Sequence, residues 1–234
     1  MTESARVSWT VLLPVKVLAQ AKSRLAVLAG DRRHELALAL ASDTVAAVVA
    51  CPLVARVIVV TSDPVAGSRL SALGAQIIPE ALRGADDAAD AARPGTDGSQ
   101  HLLNAALLHG AAVASRRWPG TGLAALTADL PALRPAELTA ALRAASDADT
   151  ASFVPDAAGL GTTMYAVSPG GKFRPMYGGA SRARHAAGGA VELALDGIAG
   201  LRQDVDTPDD LRAAVALGVG PRTAEVAAEL LADA

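Results

Sequence analysis

The chain has 234 residues, with 21 Lys and Arg against 24 Asp and Glu, a net charge of −3 and a single cysteine, Cys51. This balance disfavours a non-specific nucleic-acid binder, which depends on clustered cations, and one cysteine excludes an intramolecular disulfide or a thiolate metal cluster. The sequence shows neither a secretory leader nor an apolar run long enough to span a membrane, so we expect a cytoplasmic protein without membrane contact.

Short β-rich runs alternate with helical runs along the chain. Strands are predicted where β-branched and apolar residues follow one another, and helices where apolar residues recur every three or four positions. The predicted strands span 7–15, 54–61, 75–78, 122–128, 150–154, 162–167 and 201–205. The predicted helices span 31–49, 99–115, 135–145, 208–217 and 222–231, with a further short helix that ends at 73. This alternation predicts a mostly parallel sheet with helices on both faces.

One stretch interrupts the alternation. Residues 83–98 are polar, rich in Gly and Asp, and lack an apolar period, which predicts a mobile surface loop. No internal repeat or long linker divides the remainder, so we expect a single domain over 1–234.

The sequence lacks the short motifs of several common enzyme classes. No G-x-G-x-x-G follows a predicted strand, and no Walker-type phosphate loop, His-Glu-x-x-His or nucleophile elbow occurs. A dinucleotide dehydrogenase, a P-loop NTPase, a zinc protease and a serine hydrolase are therefore not favoured. His34, His101 and His109 lack metal-ligand spacing, and we interpret them as residues of helix surfaces.

A basic loop follows the first predicted strand. Lys16, Lys22 and Arg24 lie within nine residues at the carboxyl end of that strand, where open α/β sheets bind ligands. Lysine, arginine and backbone N–H groups can together wrap a polyphosphate. A solvated basic loop has the same composition, so the loop alone leaves both interpretations open.

Three aspartates follow other predicted strands. Asp129 ends an apolar strand, and Asp204 and Asp206 are two residues apart, which in an extended segment turns both side chains to one side. Clustered carboxylates repel unless a cation bridges them, and an oxygen-only donor set favours Mg²⁺ or Mn²⁺. Asp129 alternatively forms a turn, and one of the other two alternatively caps the helix that begins near Pro208.

Two glycine-rich stretches also carry hydroxyl groups. They span Gly159 to Thr163 and Gly178 to His185. Glycine permits close backbone approach, and hydroxyls and helix starts favour anions. The two stretches together predict a second anion site, although each of them alone also fits a plain turn.

Longer stretches of the sequence match a known family. They are PVKVLAQAKSRL (14–25), ADLPAL (128–133), SFVPDAAGLGTT (152–163), GGASRARHAAGGAVEL (178–193) and GLRQDVDTPDDLRAAVALGVGP (200–221). Through them the chain resembles the archaeal and actinobacterial phospholactate guanylyltransferases of deazaflavin coenzyme F-420 biosynthesis, and it is most similar to the actinobacterial phosphoenolpyruvate branch. It departs from the family pattern over 177–180, where Phe-Gly-Pro and a polar residue are expected.

The resemblance implies both a fold and a set of site residues. The fold would be a Rossmann-like three-layer α/β/α sandwich of the nucleotide-diphospho-sugar transferase type. The implied metal ligands for Mg²⁺ or Mn²⁺ are Asp129, Asp204 and Asp206, and the implied phosphoenolpyruvate contacts are Thr162, Gly178 and Ser181. The loop chemistry, together with the resemblance, assigns Lys16, Lys22 and Arg24 as catalytic groups facing the GTP phosphates.

The implied reaction is guanylyl transfer with GTP and phosphoenolpyruvate as substrates. A phosphate oxygen of phosphoenolpyruvate attacks the α-phosphorus of GTP, and pyrophosphate leaves. Three alternatives stay open: another phospho-acid acceptor (2-phospho-L-lactate or 3-phosphoglycerate), a molybdenum-cofactor or sugar nucleotidyltransferase, and a nucleotide-binding domain without catalysis. The sequence predicts neither the preference for guanine over adenine nor the oligomeric state.

Overall fold

Within residues 7–18, 22–80 and 98–232, which the computed structural model describes, seven strands form one sheet. They are β1 (Trp9–Pro14), β2 (Val54–Val60), β3 (Gln76–Ile78), β4 (Gly122–Leu126), β5 (Ser152–Pro155), β6 (Thr162–Val167) and β7 (Val191–Glu192). Their order across the sheet is β3-β2-β1-β4-β6-β5-β7. Strand β6 is antiparallel to β4 and β5, and the other pairs are parallel. The predicted mostly parallel sheet is confirmed.

Helices cover both faces of the sheet. They are α1 (Ala26–Ala29), α2 (Arg33–Val49), α3 (Pro64–Ser71), α4 (Gly98–Arg117), α5 (Pro135–Ser146), α6 (Ser181–Ala187), α7 (Ala199–Arg202), α8 (Pro208–Leu217) and α9 (Pro221–Ala232). Helices α2, α3 and α5 pack on one face and α4 on the other, which is the expected three-layer sandwich. None of these helices has both the length and the apolar character needed to cross a lipid bilayer.

Strand β1 lies in the middle of the core and is buried on both faces. Val11 and Leu13 pack in the cluster that includes α2 and α5, whereas Leu12 packs in the opposite cluster with α4. Successive side chains of a strand point to opposite faces. Because both faces of a central parallel strand are covered, its sequence is a continuous apolar run.

The strand order reverses between β1 and β4. From β1 the chain adds β2 and β3 on one side of the sheet and then returns to place β4 on the other. In open α/β sheets a crevice forms at this point, outside the carboxyl ends of the strands. Because β6 runs antiparallel to β4, its first residue, Thr162, reaches the same edge, where the Thr127 N–H donates to the Thr163 carbonyl (3.0 Å).

Most predicted elements lie where the sequence indicated. Strand β6 and helix α8 have the predicted bounds. The Asp63 carboxylate caps α3 by accepting the N–H groups of Val65 (2.9 Å) and Ala66 (3.0 Å), a common way to begin a helix. The three histidines assigned to helix surfaces lie on α2 and α4, exposed or half-buried. The loop prediction over 83–98 lies, apart from Gly98, outside the described residues.

The predicted strand over 201–205 is wrong. Helix α7 ends at Arg202, and the residues after it pair with no strand in the described part of the chain. Leu201 and Val205 are buried, so their apolar character reflects packing of a helix and a loop segment rather than a place in the sheet. The sequence analysis also missed α6 and the two-residue strand β7.

Gly200 brings α7 close to the loop that follows β4. A Cβ at this position would lie 2.1 Å from the Ala132 carbonyl oxygen, a backbone atom that cannot rotate away. We expect Gly200→Ala to lower the free energy of unfolding by about 1–3 kcal/mol, because an added methyl group forces the backbone apart. Urea unfolding measures the change.

Gly67→Ala is the matched control. A Cβ at Gly67 in α3 would make an ordinary contact of 3.6 Å with Ile77. Since alanine favours a helix over glycine, this variant should be unchanged or more stable by up to about 1 kcal/mol. Equal losses in the two variants would contradict the packing assigned to Gly200.

Candidate functional site

A cleft of about 420 Å³ opens at the carboxyl ends of β1 and β4. It collects basic, acidic and hydroxyl groups from five segments that are distant in the chain. The residues singled out from the sequence all line it: Lys16, Lys22, Arg24, Asp129, Thr162, Gly178, Ser181, Asp204 and Asp206.

The acidic side of the cleft is held together by an ammonium group and by the main chain. Lys22 Nζ donates to Asp129 Oδ2 and, at 2.9 Å, to Asp206 Oδ1. The N–H of Val205, between Asp204 and Asp206, donates to the Asp129 carbonyl oxygen at 3.2 Å. The segment after α7 therefore lies beside the end of β4, which brings the aspartates together.

The pKa values of this cluster reflect unequal charge compensation. Burial opposes the charge of Lys22, but Asp129 and Asp206 outweigh it and raise the pKa of Lys22. Lys22 in turn lowers the pKa of Asp206. Burial, followed by repulsion from Asp129 and Asp206, raises the pKa of Asp204 well above its usual value. One lysine thus does not neutralise the three carboxylates.

The basic residues of the loop lie beside the carboxylates. Lys22 was predicted to face nucleotide phosphates, whereas its ammonium lies on Asp129 and Asp206. Lys16 and Arg24 are near enough to Asp206 to help lower its pKa. The Lys22 backbone has a φ of 55°, a left-handed conformation that costs a non-glycine residue roughly 1–2 kcal/mol. In this conformation the side chain makes both ion pairs.

The donor atoms present fit a divalent cation. Asp129 Oδ1 is buried and makes no hydrogen bond with the part of the chain that is described. A buried carboxylate oxygen left in this way is costly unless a cation or a donor reaches it. The oxygen-only set suits Mg²⁺ or Mn²⁺, although across the described ranges no three ligating side chains are already grouped around one point.

The hydroxyl side of the cleft is formed by the start of β6 and the start of α6. Thr162 and Ser181 are buried there. Gly178 has a φ of 103°, and a Cβ on it would lie 2.3 Å from Gln100 Cγ of α4. The conformation favours glycine at this position, and any larger residue would also displace the Gln100 side chain.

Helix α4 holds the chain that leads to Gly178. Asn104 Oδ1 accepts the Tyr177 N–H (2.9 Å), and Asn104 Nδ2 donates to the Tyr177 carbonyl (3.1 Å). Tyr177 Oη donates to the Ala125 carbonyl of β4 (2.9 Å). The sequence analysis missed both residues. The available signal was the amide of Asn104, which follows two leucines and precedes two alanines in the helix.

Asp156 was missed as well. It lines the cleft, and its carboxylate accepts the N–H groups of Leu160 (2.9 Å) and Gly161 (2.7 Å). A Cβ at Gly161 would lie 2.4 Å from Asp156 Oδ2. Asp156 therefore shapes the turn that delivers Thr162 to the cleft.

His185 lies behind Thr162. Its Nδ1 is 3.0 Å from Thr162 Oγ1, and its Nε2 accepts the Met176 N–H at 2.8 Å. The ring is fully buried, and burial lowers the pKa of His185 to about 4. The ring is therefore neutral at pH 7.

The fold is one shared with nucleotidyltransferases. A nucleotidyl transferase structure from Methanothermobacter has a TM-score of 0.58 and 18% identity, covering 90% of this chain and 97% of that one. A 4-diphosphocytidyl-2C-methyl-D-erythritol synthase structure has a TM-score of 0.53 and 14% identity, covering 92% and 99%. At these identities the likeness shows the fold.

Sequence relatives define the family. No protein-family profile matches the chain. A phosphoenolpyruvate guanylyltransferase of Thermomonospora curvata is 54% identical, covering 98% of this chain and 92% of that protein. Its counterparts from Streptomyces coelicolor (55%; 95% and 97%) and Geodermatophilus obscurus (47%; 93% and 93%) match similarly. The chain belongs to the phosphoenolpyruvate guanylyltransferase family, which confirms the resemblance found in its motifs.

The Lys22 ion pairs can be tested by substitution. Lys22→Met leaves the half-buried Asp129 carboxylate without its cation, so we expect the free energy of unfolding at pH 7, without divalent ions, to fall by about 1–3 kcal/mol. Because Lys22 lowers the pKa of Asp206, the stabilisation it brings is present above the unfolded-state value of about 4 and is lost below it. The loss should therefore shrink as the pH falls below about 4.

The same change at an exposed lysine is the control. Lys172 is exposed, and Lys172→Met should alter the free energy of unfolding by no more than about 0.5 kcal/mol. Urea unfolding at several pH values measures both variants. A loss for Lys22→Met no larger than that of the control would show that the ion pairs contribute nothing to stability.

Proposed function

We propose that this protein transfers GMP from GTP to phosphoenolpyruvate, giving enolpyruvyl-diphospho-5′-guanosine and pyrophosphate. The observation that carries the proposal is one cleft that combines an acidic cluster, three cations and a hydroxyl-bearing glycine loop. Family membership supports the choice of substrates, since relatives that are 47–55% identical bear this activity in their names.

Electrostatic repulsion between the substrates is the main barrier to such a reaction. Two polyanions must meet, and further negative charge develops on the departing pyrophosphate. Lys16, Lys22 and Arg24 line the cleft and would stabilise that charge as preorganised cations. Asp129, Asp204 and Asp206 would hold Mg²⁺ or Mn²⁺, which when bound offsets the charge of the α-phosphate and aligns the nucleophile with the leaving group.

The acceptor would bind on the hydroxyl side. The Thr162 and Ser181 hydroxyls and the Gly178 backbone border the cleft there and are suited to the phosphate and carboxylate of a phospho-acid. The nucleophile is a phosphate oxygen that is already ionised at pH 7. The reaction therefore needs no general base, and the neutral, buried His185 is free for another role.

The motif resemblance also supports a setting for this reaction. We place the product in the biosynthesis of the deazaflavin coenzyme F-420 and the reaction in the cytoplasm. A phospho-acid activated as a diphospho-guanosine carries GMP as a good leaving group, so a later transfer enzyme would pass the phospho-acid to its own acceptor and release GMP.

An acceptor survey tests the proposed activity. The purified chain is incubated with Mg²⁺, GTP and one of phosphoenolpyruvate, 2-phospho-L-lactate or 3-phosphoglycerate, and products are identified by mass spectrometry. We expect the enolpyruvyl product to form with the highest kcat/KM, and ATP in place of GTP to react at least about tenfold less efficiently, which corresponds to about 1.4 kcal/mol. A preference for another acceptor would correct the substrate, and absence of every diphospho-guanosine product would overturn the function.

Asp129→Asn tests the acidic cluster. It keeps the size of the side chain but removes the charge, so we expect kcat to fall by about 10²–10³-fold, the range for the loss of one electrostatic stabiliser. Binding of Mn²⁺, followed by electron paramagnetic resonance, should weaken in parallel. The same substitution at the exposed Asp196 is the control and should leave both quantities unchanged. Activity and Mn²⁺ affinity equal to wild type in Asp129→Asn would remove Asp129 from the metal site.

A further inference from the structure

We propose that His185 is a positioning residue, which orients the Thr162 hydroxyl so that its hydrogen is available to the acceptor substrate. The ring does not touch the reacting atoms and takes no proton during turnover. It acts by fixing the hydrogen-bond direction of a neighbouring donor. This inference rests on the proposed function, because it assigns an anionic oxygen of the phospho-acid as the partner of Thr162.

The contacts of the ring determine which nitrogen carries the proton. The partner of Nε2 is the Met176 backbone N–H at 2.8 Å, and a backbone N–H can only donate. Nε2 is therefore an acceptor, and in a neutral imidazole the single proton then lies on Nδ1. Since Nδ1 is 3.0 Å from Thr162 Oγ1, the ring donates and the threonine oxygen accepts.

The residues around His185 keep the ring neutral and fix its orientation. It stacks on Tyr165 with ring centroids 4.7 Å apart, while Tyr177 meets it edge-on at 5.5 Å. Phe153 lies on a third side at 5.7 Å. Burial and the neighbouring cation Arg184 both disfavour a second proton. The ring thus holds one tautomer and one orientation without a carboxylate partner.

The hydrogen bond from His185 fixes the role of the Thr162 hydroxyl as a donor. Its hydroxyl has one hydrogen to donate, and its oxygen is already engaged by Nδ1–H. Among the described residues, no acceptor receives the Thr162 hydrogen, and Thr162 borders the cleft. An anionic oxygen in the cleft would accept this hydrogen from a hydroxyl whose oxygen is already held in place, which is the advantage of a preorganised donor.

The same ring connects two parts of the acceptor side. Through Nδ1 it contacts the first residue of β6, and through Nε2 it holds Met176, two residues before Gly178. Asn104 of α4 holds the next residue, Tyr177. Substitution of His185 therefore affects acceptor binding either through the Thr162 hydroxyl or through the loop from Met176 to Gly178. An experiment has to distinguish these two effects.

Two amide substitutions separate the routes. His185→Asn places a donor where Nδ1 stood and loses the contact with Met176, whereas His185→Gln places an acceptor where Nε2 stood and loses the contact with Thr162. We expect His185→Gln to raise the KM for phosphoenolpyruvate about tenfold, the equivalent of about 1.4 kcal/mol, with the KM for GTP little changed. His185→Asn should keep the KM for phosphoenolpyruvate within about threefold of wild type.

A double-mutant cycle with Thr162→Val completes the experiment. If His185 acts through the Thr162 hydroxyl, His185→Gln should raise the acceptor KM no further once that hydroxyl is gone. Independent, multiplying effects of the two substitutions would overturn the proposal. Wild-type protein that forms no diphospho-guanosine product would instead overturn the proposed function, so the two failures are distinct.

One measurement needs no substitution. Nitrogen-15 NMR of histidine-labelled wild-type protein reports which ring nitrogen of each histidine is protonated, and His185→Asn identifies the His185 signals. We expect protonated Nδ1 and unprotonated Nε2 from pH 6 to pH 8. The opposite tautomer, or a ring that titrates in this range, would overturn the proposal without an assay of activity.

Discussion

Mutual repulsion among three carboxylates is the constraint on which the cleft depends. Asp129 comes from the end of β4, and Asp204 and Asp206 from a segment about 75 residues later in the chain. Lys22 and a main-chain hydrogen bond hold these segments side by side. Burial, together with repulsion from Asp129 and Asp206, raises the pKa of Asp204, because a single lysine does not compensate all three carboxylates. Lys22 makes its two ion pairs from a backbone with a positive φ.

The two sides of the cleft use different physical means. The acidic and basic side works through charge, which suits the polyphosphate of a nucleotide and a divalent cation. The hydroxyl side works through neutral hydrogen bonds fixed by packing: Asn104 and Tyr177 hold the loop, and His185 sets the direction of Thr162. A phospho-acid and a nucleoside triphosphate are both anions. Two sides with different recognition chemistry would direct each substrate to its own subsite.

Much of the fold followed from local patterns, and the parts that did not were set by long-range contacts. The β-branched runs and helical spacing predicted the central strands and the longest helices, and strand ends indicated where the cleft lies. The prediction over 201–205 failed because Leu201 and Val205 are buried by a short helix and a loop, and burial alone does not distinguish these from a strand. The Lys22 ion pairs could not be read from the sequence, since Lys22 and Asp206 are 184 positions apart. Asn104 and Tyr177 were missed for the same reason, at a separation of 73.

Anomalous diffraction from crystals grown with Mn²⁺ and a non-hydrolysable GTP analogue would test the acidic cluster most directly. We predict an anomalous peak within ligating distance of an Asp129 carboxylate oxygen and of Asp204 or Asp206, with the nucleotide phosphates beside it. Manganese bound elsewhere, with Lys22 still bridging Asp129 and Asp206, would contradict the assignment of these three aspartates to the metal.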